Sequence, residues 1–213
     1  MLWPIKLLLN FCLPYNCVLC HRRGQILCRN CQQLIQFYPA QIKEQLESAE
    51  FIDQAYVLGF YQPPLNNLIK ALKYKSAKAA AKVMADLIYL HLPPISADIM
   101  TFVPSSRLRT SNRGYNQAQL IANYLSNLWK ISNIKLLKKT KHTRKQASLA
   151  SAKLRVKNLA NSYELNCSLA KIENKKIIIV DDVISTGATV NTCAQILKQA
   201  GAKKVITVAV ARS

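Results

Sequence analysis

Apolar residues along this chain alternate between two periods. Short β-branched or aromatic runs bounded by turn residues predict strands at 54–61, 98–104, 134–137, 176–181 and 204–211. Helical spacing fills the intervals. Pro63 and Pro64 open a helix near 65–74, a second covers 78–91 and stops at Pro93-Pro94, a third covers 117–129, and a fourth covers 190–200, where Gly201 is the expected C-cap. Strand and helix in alternation specify a parallel sheet covered by helices. The run 177–180 is apolar at every position rather than every second one, which predicts a strand buried on both faces.

The opening stretch 1–14 is apolar but broken by Pro4, Lys6 and Asn10, and is far shorter than the roughly 20 residues of a membrane helix. It has no small-residue cleavage site before Cys12, so it reads as an apolar helix docked on the segment that follows. A boundary is expected within 42–51, dividing a small module at 1–50 from a domain at 51–213, with no internal repeat. With 213 residues and 50% hydrophobic content, the chain can bury one substantial core plus that module.

Inside the module, Cys17-Val18-Leu19-Cys20 and Cys28-Arg29-Asn30-Cys31 form two C-x-x-C pairs joined by a connection containing Gly24. Each pair brings two sulfurs from one tight turn to the same point, and together they make a closed tetrahedral four-cysteine site for structural zinc. Two disulfides are the alternative, but these do not persist in a reducing cytoplasm, and the chain shows no secretory signal. His21 is a further candidate ligand, although four cysteines already fill the shell. Cys12, Cys167 and Cys193 stand alone, Cys193 on the apolar side of the last helix.

Thirty Lys and Arg against ten Asp and Glu give a formal charge of +20, which zinc with four thiolates would lower to about +18. The surplus suits a polyanion such as nucleic acid, or else a solvated surface. Its densest block, free of acids, is Lys135, Lys138, Lys139, Lys141, Arg144, Lys145, Lys153, Arg155 and Lys157. From Lys138 to Lys157 large apolar anchors are few, so a mobile loop is expected there, able to close over an anionic group or to carry single-stranded DNA.

The most specific chemistry follows the buried strand, in Val180-Asp181-Asp182-Val183-Ile184-Ser185-Thr186-Gly187-Ala188-Thr189. Hydroxyls and a glycine between a strand end and a helix N-terminus make an anion site, because unpaired N–H groups and the helix dipole point outward there. Asp181 and Asp182, placed before the loop, can accept from sugar hydroxyls and help to hold Mg²⁺. With only five glycines, neither a P-loop nor a dinucleotide fingerprint can be written. The run resembles the signature of type I phosphoribosyltransferases, which use phosphoribosyl pyrophosphate (PRPP). That resemblance implies that Val183, Ser185, Thr186, Gly187, Ala188 and Thr189 seat the 5′-phosphate, with Asp181 and Asp182 on the ribose. Beside such a loop, Ser105, Ser106 and Arg107 at the end of the 98–104 strand form a candidate pyrophosphate seat.

The paired C-x-x-C, Leu72-Lys73-Tyr74, Val103-Pro104, Arg113-Gly114-Tyr115-Asn116-Gln117-Ala118, Gln146-Ala147-Ser148-Leu149 with Arg155-Val156-Lys157-Asn158-Leu159, and the PRPP signature together resemble the ComF family. Its members join a four-cysteine zinc module to a phosphoribosyltransferase-like domain. The resemblance implies a cytoplasmic protein of DNA uptake in natural transformation, acting with single-stranded DNA and the uptake machinery. Two departures touch the pyrophosphate seat. Ser105-Ser106 stands where a longer apolar or histidine-containing turn is common, and Lys138 and Lys139 stand where arginine is usual, which keeps charge but loses bidentate geometry. Two readings remain open: a Mg²⁺-dependent phosphoribosyltransferase with an unknown acceptor, or a module that binds PRPP or DNA without turnover.

Overall fold

The run Ile177, Ile178, Ile179 and Val180 is fully buried, and a computed structural model of the chain shows why. It describes residues 15–38, 41–74, 77–140 and 162–213. The helix expected over 1–14 and the basic residues Lys141, Arg144 and Lys145 lie outside the described residues.

Seven strands are described: β1 (Gln54–Phe60), β2 (Ile99–Phe102), β3 (Ser132–Asn133), β4 (Leu137–Lys139), β5 (Tyr163–Leu165), β6 (Lys176–Ile184) and β7 (Lys204–Arg212). The helices are α1 (Arg29–Gln32), α2 (Leu65–Tyr74), α3 (Ala79–His91), α4 (Arg107–Arg113), α5 (Gln117–Trp129) and α6 (Ala188–Gln199). Five strands pair in parallel in the order β1-β7-β6-β2-β3, so the apolar run of β6 sits mid-sheet. Ile178, Val180, Ile206 and Val208 pack with Leu68, Leu72, Met84, Ile121 and Leu125 of α2, α3 and α5. Ile177, Ile179, Val205 and Ala209 pack on the other face with Val190, Cys193, Ala194 and Leu197 of α6. Both faces are dry, which is why period 2 disappears from β6, and each buried Val or Ile contributes roughly 1.5–3 kcal/mol.

The strand expected at 134–137 is a correction. Leu136 and Leu137 are both fully buried, which a strand burying one face cannot do with consecutive residues. The sheet strand therefore ends at Asn133, and the chain turns into β4, which pairs antiparallel with β5 in a separate two-stranded sheet. Lys138 and Lys139 consequently belong to β4 rather than to the start of a loop, and Lys138 Nζ meets Glu164 Oε1 of β5 at 2.7 Å. Short α4 was also unforeseen, since RLRTSNR has no apolar stripe.

The cysteine segment is tied to the same body. Cys17, Ile26, Leu27, Cys31 and Ile35 share one buried cluster with Leu65 and Leu68, and Asn67 Nδ2 donates to the Val18 carbonyl at 3.1 Å. Residues 36–38 run beside β1, where Tyr38 N–H donates to the Leu58 carbonyl and a Cβ on Gly59 would lie 2.5 Å from the Gln36 carbonyl oxygen.

Candidate functional site

Two places gather the residues singled out by the sequence. At the first, a tight turn holds Cys17 and Cys20, closed by His21 N–H donating to the Cys17 carbonyl at 3.0 Å and tied by Val18 N–H to the Ile26 carbonyl, while Cys28 stands at the N-cap position of α1 and Cys31 lies within it. All four sulfurs lie within 4.8 Å of one another. Zn–S bonds of about 2.3 Å on a tetrahedron place sulfurs about 3.8 Å apart, so the set fits that metal. The Cys20 and Cys28 sulfurs are 3.6 Å apart, far beyond a disulfide bond of about 2.05 Å, and none of these cysteines is bridged. Burial raises the Cys17 thiol, but N–H donors from Cys28, Cys20 and Leu19 outweigh it and bring the group down to about 6. Burial and then the facing sulfurs of Cys28, Cys20 and Cys17 push Cys31 up to about 12. The cluster thus releases one proton easily and holds another, as crowded thiolates do before a cation neutralises them. His21 is exposed with φ of 60° and stands outside the cluster.

The second place lies at the carboxyl ends of β2 and β6. From β2 the chain leaves toward β3, and from β6 it leaves toward β7 in the opposite direction, which opens the crevice where ligands bind in open α/β sheets. The last β2–β6 pair is Phe102 with Val180, so β6 outruns its neighbour and Asp181 and Asp182 face the gap. The sequence put the acids at the strand end. Pairing with β7 in fact continues to Ile184, which holds their backbone rigid.

Alternation along β6 sends the two carboxylates to opposite faces. Asp182 Oδ2 takes Lys73 Nζ of α2 at 2.6 Å, a mostly buried pair. Asp181 turns toward α6 and accepts the Asp182 N–H at 2.8 Å. Burial and then the Asp182 charge push the Asp181 carboxyl well above the usual carboxylate range, partly offset by that N–H and by Lys73. An ionised Asp181 is therefore short of positive charge or donors, and a ligand hydroxyl or cation would supply them. Burial and then Asp181 raise the Cys193 thiol, and that cysteine is a buried, inert packing residue as expected.

Ser185, Thr186, Gly187, Ala188 and Thr189, with Val183, surround a small cavity of about 50 Å³ at the N-terminus of α6. The Ala188 N–H donates to Thr186 Oγ1, so the loop is held by its own hydroxyl. A second support was missed. Segment 42–51, read as a boundary, forms the back wall: Ser48 N–H donates to the Thr186 carbonyl at 3.0 Å, and Phe51 N–H to Asn191 Oδ1 at 2.9 Å. Gly187, at φ 88°, has no room for a Cβ, which would lie 2.5 Å from the Ser48 carbonyl oxygen. The glycine is thus needed on the protein side of the loop as well as for any phosphate. No local pattern in 42–51 announces this, because the contact spans about 140 residues of chain.

Across the gap, Ser105 and Ser106 line a cavity of about 210 Å³ together with Asp181, Asp182, Lys73 and Arg113. Ser105 Oγ is 2.6 Å from Thr110 Oγ1, while Arg107 opens α4 with its side chain outside the described residues. A neighbouring groove of about 390 Å³ carries Lys135, Lys138 and Lys139. Of the sequence-selected basic set, Lys139 lines both the crevice and this groove, whereas Lys135 and Lys138 line the groove.

The Arg113–Ala118 motif gains a physical account. Tyr115 OH donates to the Leu72 carbonyl at 2.5 Å, tying α5 to α2, and Asn116 Nδ2 donates to the Val103 carbonyl at 2.9 Å while its Oδ1 caps α5 through Ala118 N–H. Arg113 stacks over Tyr74.

Comparison with known proteins agrees with this geometry. A family model described as phosphoribosyl transferase domain matches residues 112–213, from the end of α4 through β7. Competence protein F of Haemophilus influenzae is 31% identical over 195 residues, spanning 87% of this chain and 84% of its own length. The DNA utilization protein YhgH of Escherichia coli K12 is 32% identical over 153 residues, 68% of this chain and 66% of its length. Competence protein ComFC of Streptococcus pneumoniae is 26% identical over 152 residues, 71% and 65% respectively. A parallel sheet flanked by helices, a four-cysteine cluster and these relatives carry one conclusion: the chain belongs to the ComF family.

Proposed function

We propose that the crevice binds PRPP and that the protein serves DNA uptake in the cytoplasm, with residues 1–50 a zinc module on a PRPP-binding domain at 51–213. The observation that carries the reading is the pair of β6 carboxylates set between a braced anion loop and the Ser105-Ser106 turn, with about 210 Å³ between them. In this reading the loop 185–189 takes the 5′-phosphate, Asp181 and Asp182 the ribose hydroxyls, and Ser105, Ser106 and Arg107 the pyrophosphate. Mg²⁺, when bound, would neutralise diphosphate charge, with Asp181 and Asp182 the carboxylates available to hold it. As the bond from C1′ to pyrophosphate breaks, positive charge grows on the ribose and negative charge on the leaving group. The acids stand on the first side, while Lys73, Arg113 and Lys139 are the cations of the same cavity. Single-stranded DNA is the proposed partner of the Lys135, Lys138 and Lys139 groove; Lys141, Arg144 and Lys145, which belong to the same basic run of sequence, lie outside the described residues. The names of the relatives, competence and DNA utilization, support that role.

Calorimetry with PRPP and ribose 5-phosphate, with and without Mg²⁺, tests the reading. Thr186→Ala with Thr189→Ala should weaken both ligands, because each hydroxyl lost to a charged acceptor removes roughly 1.5–3 kcal/mol. Asp181→Asn with Asp182→Asn should weaken the Mg²⁺-dependent part. No heat from wild-type protein at millimolar PRPP would refute PRPP binding, and pyrophosphate release with a panel of acceptors measures turnover separately.

A further inference from the structure

Four buried side-chain polar atoms lack a hydrogen-bond partner among the described residues, on Asn66, Gln117, Asn133 and Thr207. Of these residues only Gln117 lines the crevice, in the cavity that also holds Asp181 and Asp182. It is 5% exposed, it is the first residue of α5, and its Nε2 meets no acceptor. Its neighbours in the motif are each engaged: Arg113 on the Tyr74 ring, Tyr115 on Leu72, Asn116 on both Val103 and Ala118. Those bonds hold the start of α5 between α2 and the β2 turn, so the backbone that carries Gln117 is anchored without any bond from its Nε2. A buried amide donor left unpaired is a standing cost to the fold. Such a cost persists where something outside the fold meets it.

We propose that Gln117 is a substrate-contacting residue whose Nε2 donates to an oxygen of the phosphoribosyl ligand. The walls around it support an oxygen-rich anion: Lys73 and Arg113 offer N–H groups, the helix N-terminus favours negative charge, and Ser105 and Ser106 stand opposite. The inference rests on the PRPP reading and adds to it a neutral donor outside the phosphate loop and the acids. Two parts of the ligand carry suitable oxygens, the diphosphate and the ribose hydroxyls, and they are separable by experiment.

The test is Gln117→Leu, which keeps a similar volume and deletes the donor. Thermal midpoints are measured first, then calorimetric affinities for PRPP, ribose 5-phosphate and inorganic pyrophosphate, all with Mg²⁺. The expected result is a midpoint equal to or above wild type with PRPP affinity lower by on the order of 10- to 100-fold. A loss shared with pyrophosphate assigns the contact to the diphosphate, and one shared with ribose 5-phosphate assigns it to the sugar; either supports the proposal. Undiminished PRPP affinity in the variant overturns it while leaving PRPP binding intact. A lowered midpoint with equal loss of all three ligands also overturns it, because that marks a structural glutamine. If wild-type protein takes up none of the ligands, the PRPP reading itself falls.

Discussion

Gly187→Ala tests whether the anion loop is built against segment 46–48 or stands alone. Two costs attach to the substitution. At φ 88° an L-residue pays roughly 1–2 kcal/mol for the left-handed backbone. The new methyl would also lie 2.5 Å from the Ser48 carbonyl oxygen and 3.3 Å from Leu46, an overlap that the rigid strand behind the loop relieves only by moving the wall, at roughly 1–3 kcal/mol. Gly114→Ala is the internal control, with φ of 76° and nothing within 4 Å of its Cβ, so it carries the backbone cost alone. The entropic effect on the unfolded chain is common to both and cancels. Gly187→Ala should therefore be less stable than Gly114→Ala by about 1–3 kcal/mol, which for a chain of this size is about 2–12 °C in midpoint. Urea and thermal unfolding followed by circular dichroism, at matched pH and with metal retained, read the difference. Equal stability of the two variants would refute the brace between residues 46–48 and the loop.

Further outcomes are expected. The raised Asp181 carboxyl favours folding in its protonated form, so its contribution is present below the unfolded value of about 3.9 and is lost as pH rises through the folded value. Asp181→Asn should accordingly raise the thermal midpoint at neutral pH, with the gain fading toward pH ~4; no gain at neutral pH would contradict the burial argument. With Cys17 near 6 and Cys31 near 12, zinc must displace protons, so zinc affinity by competition with a chelator should rise steadily with pH above 6, and a flat profile would count against zinc held by four thiolates. If DNA lies in the lysine groove, Lys135→Gln with Lys138→Gln should lower the salt slope of single-stranded DNA binding by about 0.7 for each phosphate no longer neutralised, whereas an unchanged slope would place the nucleic acid elsewhere.

What the chain determined locally is the part written in neighbouring residues. Apolar periodicity placed β1, β6, β7 and the helices α2, α3 and α5 to within a few residues, because each element buries its own stripe wherever its neighbours lie. The C-x-x-C pairs and the Asp181-to-Thr189 run were equally legible, since spacing within one turn is set by the backbone itself. Tertiary structure decided what depends on residues far apart in sequence. It replaced the strand expected at 134–137 with a connection between β3, which ends at Asn133, and β4, which begins at Leu137, because Leu136 and Leu137 each found a buried place that one strand could not serve. It set Leu46 and Ser48 against the loop as the wall that excludes a side chain at Gly187. It paired Lys73 with Asp182 and Lys138 with Glu164, contacts that no local pattern encodes. It also left the Gln117 Nε2 without a partner in the crevice: the sequence sets which donors a chain owns, and only packing decides which of them remain unpaired.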